Sequence, residues 1–194
     1  MMTGIRERRV WPEGTRPSEA SVRAGEAVLA VAPGLPPVDL LVHAAVSRDR
    51  LEPATAAYVH KDLGLGRETQ IFDLSNACLG FLNAMVVAGG LIEAGLARVA
   101  LVVAGENGRP LLERTIRTLS EGDFDRRSIK PYFANLTIGC GAVGMLLCDR
   151  ALVPGDSAFG DLEFGIAGTD GSFSHLCEGD SAAGGAAGGV AAEA

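Results

Sequence analysis

The chain has 194 residues, 47% of them hydrophobic, and a formal net charge of −7. This length suits one domain with a sizeable core, and we expect an acidic soluble protein. The negative charge, with no basic block longer than Arg8 and Arg9, excludes nucleic acid as the main partner. The longest apolar stretch, residues 77–92, is shorter than the roughly 18 to 20 residues of a spanning helix, so no membrane span is expected.

The amino terminus and the cysteines indicate the compartment. The chain begins with a cluster of charged residues and has no apolar signal-peptide core there, which predicts a cytoplasmic protein. The four cysteines show neither a C-x-x-C pair nor a metal-ligand spacing, so we expect reduced thiols and no metal site. These cysteines are Cys78, Cys140, Cys148 and Cys177.

The first part of the chain alternates helical and strand patterns. Residues 19–29 have apolar positions at helical spacing, with Ser18 as a candidate N-cap. Residues 38–46 are mostly apolar, which is typical of a strand buried on both faces. A short helix is predicted over residues 53–63, because proline is tolerated in the first helical turn. A second strand is predicted at residues 70–74.

The next apolar run predicts a buried helix. Residues 78–94 are apolar on every helical face, so no face suits solvent. A short strand is predicted at residues 99–104, followed by a polar excursion at 106–130 that suits an insertion or a dimer-facing loop. The glycine-rich segment 139–144 leads into an apolar strand at 145–148, because glycines let backbones approach closely.

The last part of the chain carries weaker patterns. Residues 157–166 are a candidate for a further strand, whereas the small-residue tail 178–194 has nothing to bury and is expected to be disordered. The folded domain is therefore predicted to be residues 1–177. Strands that alternate with helical segments predict an α/β layered fold with a mainly parallel sheet.

One cysteine lies where helix geometry favours reactivity. The strand at residues 71–75 turns through 76–77 and delivers Cys78 to the predicted first turn of an apolar helix. Unpaired N–H groups and the helix dipole stabilise a thiolate there, and the thiolate is the nucleophilic form of cysteine. Spacing alone nevertheless favours the alternative that Cys78 is a small buried hydrophobe, as most free cysteines are.

Three segments resemble one enzyme family. Residues 73–81, Asp-Leu-Ser-Asn-Ala-Cys-Leu-Gly-Phe, resemble the nucleophile segment of 3-oxoacyl-acyl-carrier-protein synthase III and its thiolase-superfamily relatives. Residues 3–8 are similar to the amino-terminal signature of that family, and residues 139–144 to its glycine-rich turn. The resemblance spans residues 3 to about 150 and implies a thiolase-like layered fold in which Cys78 is the nucleophile.

The resemblance also implies a reaction. In this family the cysteine thiolate attacks an acyl-CoA or acyl-carrier-protein thioester, and the enolate of a second thioester then attacks the acyl-enzyme. A fatty acyl thioester is therefore the expected substrate, and no cofactor is expected. The product would be a β-keto thioester or acid.

A second candidate catalytic residue comes from a narrower resemblance. Residues 47–56 look like the glutamate-bearing loop of the acyl-CoA condensing thiolases of long-chain olefin biosynthesis. Their glutamate reaches into the neighbouring subunit as a base, which implies a catalytic role for Glu52 and a homodimer. Without the family match, a first-turn acid beside Pro53 that favours the helix dipole explains Glu52 equally well.

The resemblance covers only the amino-terminal half of the family. The family's first strand and second half are not matched, and its histidine and asparagine lie in that second half. None of His43, His60 and His175 follows the histidine motif. We therefore expect an incomplete fold that works as a homodimer or with a second-half polypeptide.

Two other functions remain open from the sequence. The chain can be a non-catalytic acyl-binding or dimerising partner that keeps the fold without the chemistry. It can also be an unrelated α/β small-molecule binding module whose glycine turns resemble the family by composition alone. Acylation of Cys78 by a long-chain acyl thioester distinguishes the enzyme from both.

Overall fold

The computed structural model describes residues 4–153, 160–163 and 168–176. The chain forms two compact units, which we call the sheet unit and the helical unit. Of the described residues, the sheet unit comprises 12–107, 141–153 and 160–163. The helical unit comprises 4–11, 108–140 and 168–176.

A four-stranded sheet is the centre of the sheet unit. Its strands are β1 (Leu40–His43), β2 (Gln70–Asp73), β3 (Val99–Asn107) and β4 (Cys140–Cys148), in the order β2-β1-β3-β4. β1 pairs in parallel with β2 on one side and with β3 on the other. The predicted parallel sheet is therefore confirmed at its first three strands.

Helices connect the parallel strands. α1 (Pro17–Ala30) precedes β1, α2 (Thr55–Asp62) joins β1 to β2, and α3 (Gly80–Glu93) joins β2 to β3. The helical unit contains α4 (Arg109–Glu121). Short 3-10 segments lie at Lys130–Tyr132, Asn135–Thr137, Arg150–Leu152 and Gly171–Leu176. Of the helices formed by described residues, none combines the length and apolarity needed to cross a membrane.

The core lies on both faces of the sheet, as the apolar run of β1 predicts. Leu40 and Val42 belong to a cluster with Ala84 and Ala88 of α3. Leu41, between them in the chain, belongs to a second cluster on the other face. Successive side chains of a strand point to opposite faces, so β1 is buried from both sides. The result is a layered α/β arrangement.

The prediction that α3 is buried on every face is wrong. Its fully buried residues are Gly80, Ala84 and Ala88, which recur every fourth residue and form one face. On the opposite side Leu82 is 56% exposed and Val86 is 50% exposed. Small residues let one face of the helix lie close to the sheet, and nothing in the described chain covers the other.

Two helix starts differ from the prediction. Arg16, not Ser18, is the N-cap of α1, and its backbone N–H donates to the Glu19 carboxylate. Ser18 is instead buried, and its backbone N–H and hydroxyl both donate to Asp49. α2 begins at Thr55 rather than Pro53.

The segments after β3 also differ from the prediction. The polar excursion at residues 106–130 contains α4, whose first turn includes Pro110. The glycines at 139–144 lie largely within β4 rather than before it. Of the candidate strand at 157–166, residues 160–163 are not a strand and the rest lie outside the described residues. The predicted disordered tail also lies outside them.

Candidate active site

The carboxyl ends of the parallel strands place the two predicted catalytic residues at one edge of the sheet. β1 ends at His43 and is followed by the loop that contains Glu52. β2 ends at Asp73 and is followed, five residues later, by Cys78. In open α/β sheets, ligands bind outside the carboxyl ends of the strands.

A tight turn carries Cys78. The N–H of Leu79 donates to the carbonyl of Asn76 at 2.9 Å, and the N–H of Gly80 to the carbonyl of Ala77 at 3.2 Å. Ala77 has a φ of 43°, in the left-handed region that non-glycine residues rarely adopt. α3 begins at Gly80, so Cys78 precedes the helix by two residues. The prediction that Cys78 lies in the first turn of the helix is therefore wrong.

Cys78 is exposed, which contradicts the alternative that it is a small buried hydrophobe. It also precedes the amino terminus of α3, the end at which unpaired N–H groups favour negative charge. Cys140 and Cys148 are partly buried, and burial raises the pKa of the Cys148 thiol. None of these three described cysteines forms a disulfide, and Cys177 lies outside the described residues.

A side-chain bond ties the Cys78 turn to the helix. The amide nitrogen of Asn76 donates to the amide oxygen of Asn83 at 2.5 Å. Asn76 lies in the turn and Asn83 in the first half of α3. The turn is therefore fixed at its start by a side chain and along its length by two backbone bonds.

Glu52 is exposed in the loop between β1 and α2. Pro53 follows it through a cis peptide bond, and Ala54 is the N-cap of α2. The first turn of α2 contains no acidic residue, so the alternative that Glu52 is a first-turn acid is wrong. No hydrogen bond or ion pair joins Glu52 to Cys78 within the described residues.

A buried histidine lies at the same edge. His43 is fully buried, and its Nδ1 is 3.8 Å from Oδ1 of Asp73. Neither ring nitrogen has a hydrogen-bond partner in the described part of the chain. Burial lowers the pKa of His43, against the opposing effect of the carboxylates of Asp73, Asp49 and Glu106. Among the described residues no group of three or more His, Cys, Asp or Glu side chains could hold a metal ion.

Sequence reasoning missed the roles of Asp73 and Glu106. Asp73 accepts hydrogen bonds from the N–H groups of Thr55 and Ala56 at the start of α2. Glu106 accepts from the N–H groups at the start of the Glu52 loop. Asp73 is the first residue of the segment that resembles the family, which could have drawn attention to it. Nothing in the local sequence marks Glu106, because its partners are about 60 residues away.

Comparisons with known proteins agree with this arrangement. Residues 72–147 match the family 3-oxoacyl-(acyl-carrier-protein, ACP) synthase III. The acyl-CoA:acyl-CoA alkyltransferase of Xanthomonas campestris pv. campestris is 37% identical over 154 residues, which cover 79% of this chain and 46% of that protein. The beta-ketoacyl-(acyl-carrier-protein) synthase III of Deinococcus deserti is 47% identical over 105 residues, which cover 54% of this chain and 30% of that protein.

Solved structures show the same likeness. The crystal structure of cerulenin-bound OleA from Xanthomonas campestris matches 76% of this chain and 46% of its own, with a TM-score of 0.72 and 37% identity. Another OleA structure from that organism matches 89% of this chain and 50% of its own, with a TM-score of 0.81 and 33% identity. The chain therefore spans about half the length of the relatives it matches.

The sheet, and the cysteine on a turn between strand and helix, define a thiolase-like protein. More narrowly, residues 72–147 match the 3-oxoacyl-acyl-carrier-protein synthase III family, and the chain is similar to an acyl-CoA:acyl-CoA alkyltransferase and to synthases III over part of their length. The resemblance of residues 73–81 to this family is thereby confirmed.

The left-handed conformation of Ala77 predicts that glycine at this position stabilises the protein, whereas alanine in place of a left-handed glycine destabilises it. Ala77→Gly should raise the free energy of unfolding by about 0.5 to 1 kcal/mol, because relief of left-handed strain exceeds the entropic cost of glycine. Gly95→Ala is the matched control, because Gly95 has a φ of 72° and an added Cβ would meet nothing within 4 Å. It should lower the free energy of unfolding by a similar amount. Urea denaturation measures both, and a loss of stability in Ala77→Gly would contradict the assigned strain.

The buried imidazole predicts a pH effect. Because burial lowers the pKa of His43 below 6.5, the unfolded chain binds a proton that the folded chain does not. The free energy of unfolding should therefore fall as the pH drops below about 6.5, by at most about 1.4 kcal/mol per pH unit for one proton. Replacing His43 by Gln removes this contribution, so the wild-type protein should lose stability relative to the variant. A pH-independent difference in urea denaturation would contradict the prediction.

Proposed function

We propose that this chain provides the acyl-accepting cysteine of an acyltransferase that joins two fatty acyl thioesters by Claisen condensation. The observation that carries the proposal is the exposed thiol of Cys78 on a strained turn at the carboxyl edge of the sheet. Cys78 also lies within the residues that match the synthase family. A conformation that costs energy and presents a nucleophile is typical of a functional site.

The first step is transfer of an acyl group to sulfur. The Cys78 thiolate attacks the carbonyl carbon of a thioester of CoA or of acyl-carrier protein, and the carrier leaves as a thiolate. A new carbon–sulfur bond replaces the old one. Backbone N–H groups near the start of α3 are candidates to stabilise the oxyanion that forms on the way.

The second step forms the carbon–carbon bond. We assign Glu52 as the base that removes a proton from the α-carbon of a second acyl thioester. The resulting enolate attacks the acyl carbon on Cys78, which releases the thiolate and yields a β-ketoacyl thioester. Exposure of Glu52 supports this role, because an exposed carboxylate can reach a substrate or a neighbouring subunit of a homodimer.

We infer that the catalytic histidine and asparagine of the family come from outside this sequence. His43 is fully buried at the end of β1, and Nε2 of His60 is hydrogen-bonded to the carbonyl oxygen of Gly66 at 2.8 Å. The ring of His43 is therefore inaccessible to a substrate, and Nε2 of His60 already has a partner. His175 lies in a sequence context unlike the family's histidine motif.

The exposed face of α3 suggests where the part of the enzyme that carries the histidine and asparagine contacts this chain. Leu79, Leu82 and Val86 form an apolar stripe that begins next to Cys78. Contiguous apolar surface of this kind marks an interaction site. We propose that this stripe packs against the part of the enzyme that supplies the other half of the relatives' length, in the same polypeptide or in a second one. Such packing would enclose Cys78.

Intact-mass spectrometry after incubation with myristoyl-CoA tests the acyl transfer. The wild-type protein should gain one myristoyl group, and Cys78→Ser should gain none. Cys148→Ser is the matched control, because that thiol is free but partly buried. It should be acylated as readily as the wild-type protein. An adduct that persists in Cys78→Ser would contradict the assignment, and binding without any adduct would favour a non-catalytic acyl-binding protein.

Introduction of a charge into the apolar stripe tests whether the stripe binds a partner. Leu82→Lys should abolish binding of a polypeptide that comprises the second half of the Xanthomonas campestris relative, measured by sedimentation. Ile116→Lys is the control, because Ile116 is 48% exposed but lies in the helical unit. A stable complex that survives Leu82→Lys would contradict the proposal. A homodimer of this chain that Leu82→Lys dissociates would instead identify the stripe as a contact between two copies.

A further inference from the structure

The loop that carries Glu52 is tied to the sheet at its beginning. We call residues 44–54 the β1–α2 loop. The N–H groups of Val46 and Ser47 donate to the Glu106 carboxylate at 2.7 and 3.0 Å, and the hydroxyl of Ser47 donates to it at 2.7 Å. Glu106 lies in β3. The same Ser47 hydroxyl accepts a bond from the N–H of Asn107 at 3.0 Å, which ties the loop to the end of β3 a second time.

A second carboxylate holds the middle of the loop. Asp49 accepts hydrogen bonds from the N–H of Ser18 at 2.8 Å and from its hydroxyl at 2.6 Å. Ser18 is fully buried near the start of α1. The N–H of Asp49 in turn donates to the hydroxyl of Thr55 at 3.4 Å, which links the middle of the loop to its end.

A third carboxylate holds the end of the loop. Asp73 accepts hydrogen bonds from the N–H of Thr55 at 2.7 Å and from the N–H of Ala56 at 2.8 Å. These residues begin α2, three residues after Glu52. Asp73 itself ends β2 and precedes Cys78 by five residues. One carboxylate therefore connects the strand that leads to Cys78 with the helix that follows Glu52.

We propose that Asp73 and Glu106 are positioning residues for Glu52. Their carboxylates fix the two ends of the β1–α2 loop to β2 and β3, and so hold Glu52 in a defined position relative to the sheet. Hydrogen bonds between carboxylates and backbone N–H groups are stronger than neutral ones and set geometry closely. This inference rests on the proposed function, because Asp73 and Glu106 can position a catalytic base only if Glu52 is the base of the condensation.

A purely structural role for Asp73 is the competing explanation, and the chain offers a matched control for it. Asp39 accepts hydrogen bonds from the N–H groups of Arg98 and Val99 at 2.8 and 3.1 Å. It therefore makes the same kind of contact as Asp73 and is similarly half-buried. It precedes β1, at the opposite edge of the sheet from Cys78.

The experiment measures the two half-reactions separately in the assembled enzyme. Asp73→Asn should leave acylation of Cys78 by myristoyl-CoA unchanged and lower the rate of β-ketoacyl product formation roughly 10- to 100-fold, because small misplacements of a catalytic group have effects of this size. Asp39→Asn should change neither rate. Faster amide hydrogen exchange at Thr55 and Ala56 should accompany the loss in Asp73→Asn.

A double-mutant cycle decides whether Asp73 acts through Glu52. In a Glu52→Gln background, Asp73→Asn should cause no further loss of product formation, because the group that it positions is already gone. Equal losses in both backgrounds would overturn the proposal, as would parallel losses in acylation and condensation. The same loss in Asp39→Asn would also overturn it.

A second variant covers the case in which Asp73→Asn does not fold. Ser47→Ala removes two of the contacts at the other end of the loop and alters neither β2 nor α2. It should lower product formation in the wild-type background and have no effect in the Glu52→Gln background.

Failure of the proposed function gives a different result: either Cys78 is not acylated, or Glu52→Gln itself leaves product formation unchanged. Either result overturns the positioning role as well.

Discussion

The rest of the structure depends on the burial of β1 between two parallel neighbours. β1 is only four residues long, but all four are buried. It pairs with β2 and β3, which fixes the register of His43 opposite Asp73 and Val103. Because the three strands run in the same direction, the loops that follow them emerge at one edge. Cys78 and Glu52 are therefore brought to that edge by the sheet rather than by any contact between them.

The same edge is unusually rich in buried or half-buried polar groups. Asp73, Asp49 and Glu106 each accept hydrogen bonds from backbone N–H groups, and the charge of each opposes the lowering of the His43 pKa by burial. Burial of polar groups is costly unless they are paired, so these carboxylates restrict the backbone to conformations that supply their donors. The structure thus combines an apolar core that sets the strand order with a polar layer that sets the loop geometry.

Much of the sheet unit could be predicted from the sequence, because its elements are short, strongly apolar and separated by clear breaks. β1, β2 and β3 lie within or close to the predicted ranges, and α2 and α3 shift by only two residues at their starts. The prediction failed for α4, where charged residues masked an amphipathic helix. It also failed for the burial of α3, because apolar residues on every face do not show which face has a partner.

The candidate site was predictable in part. Cys78 and Glu52 were predicted through family resemblance. Without it, a buried hydrophobe was favoured for Cys78 and a first-turn acid explained Glu52 equally well, and the structure contradicts both of these alternatives. The hydrogen bonds that Glu106 and Asp73 accept from the β1–α2 loop and the start of α2 could not be predicted, because the fold alone brings these carboxylates close to their partners. Glu106 is about 60 residues from its partners in sequence. Polar contacts between residues so far apart in the chain produce no periodic pattern in the sequence.

The proposed function requires that the folded chain present Cys78 as an accessible nucleophile for thioesters. Competition between alkylation and acylation tests this claim most directly. N-ethylmaleimide should modify Cys78 of the folded protein well before Cys148, and prior incubation with an acyl-CoA should protect Cys78 alone. Equal modification of the two cysteines, or no protection of Cys78 by the thioester, would contradict the account.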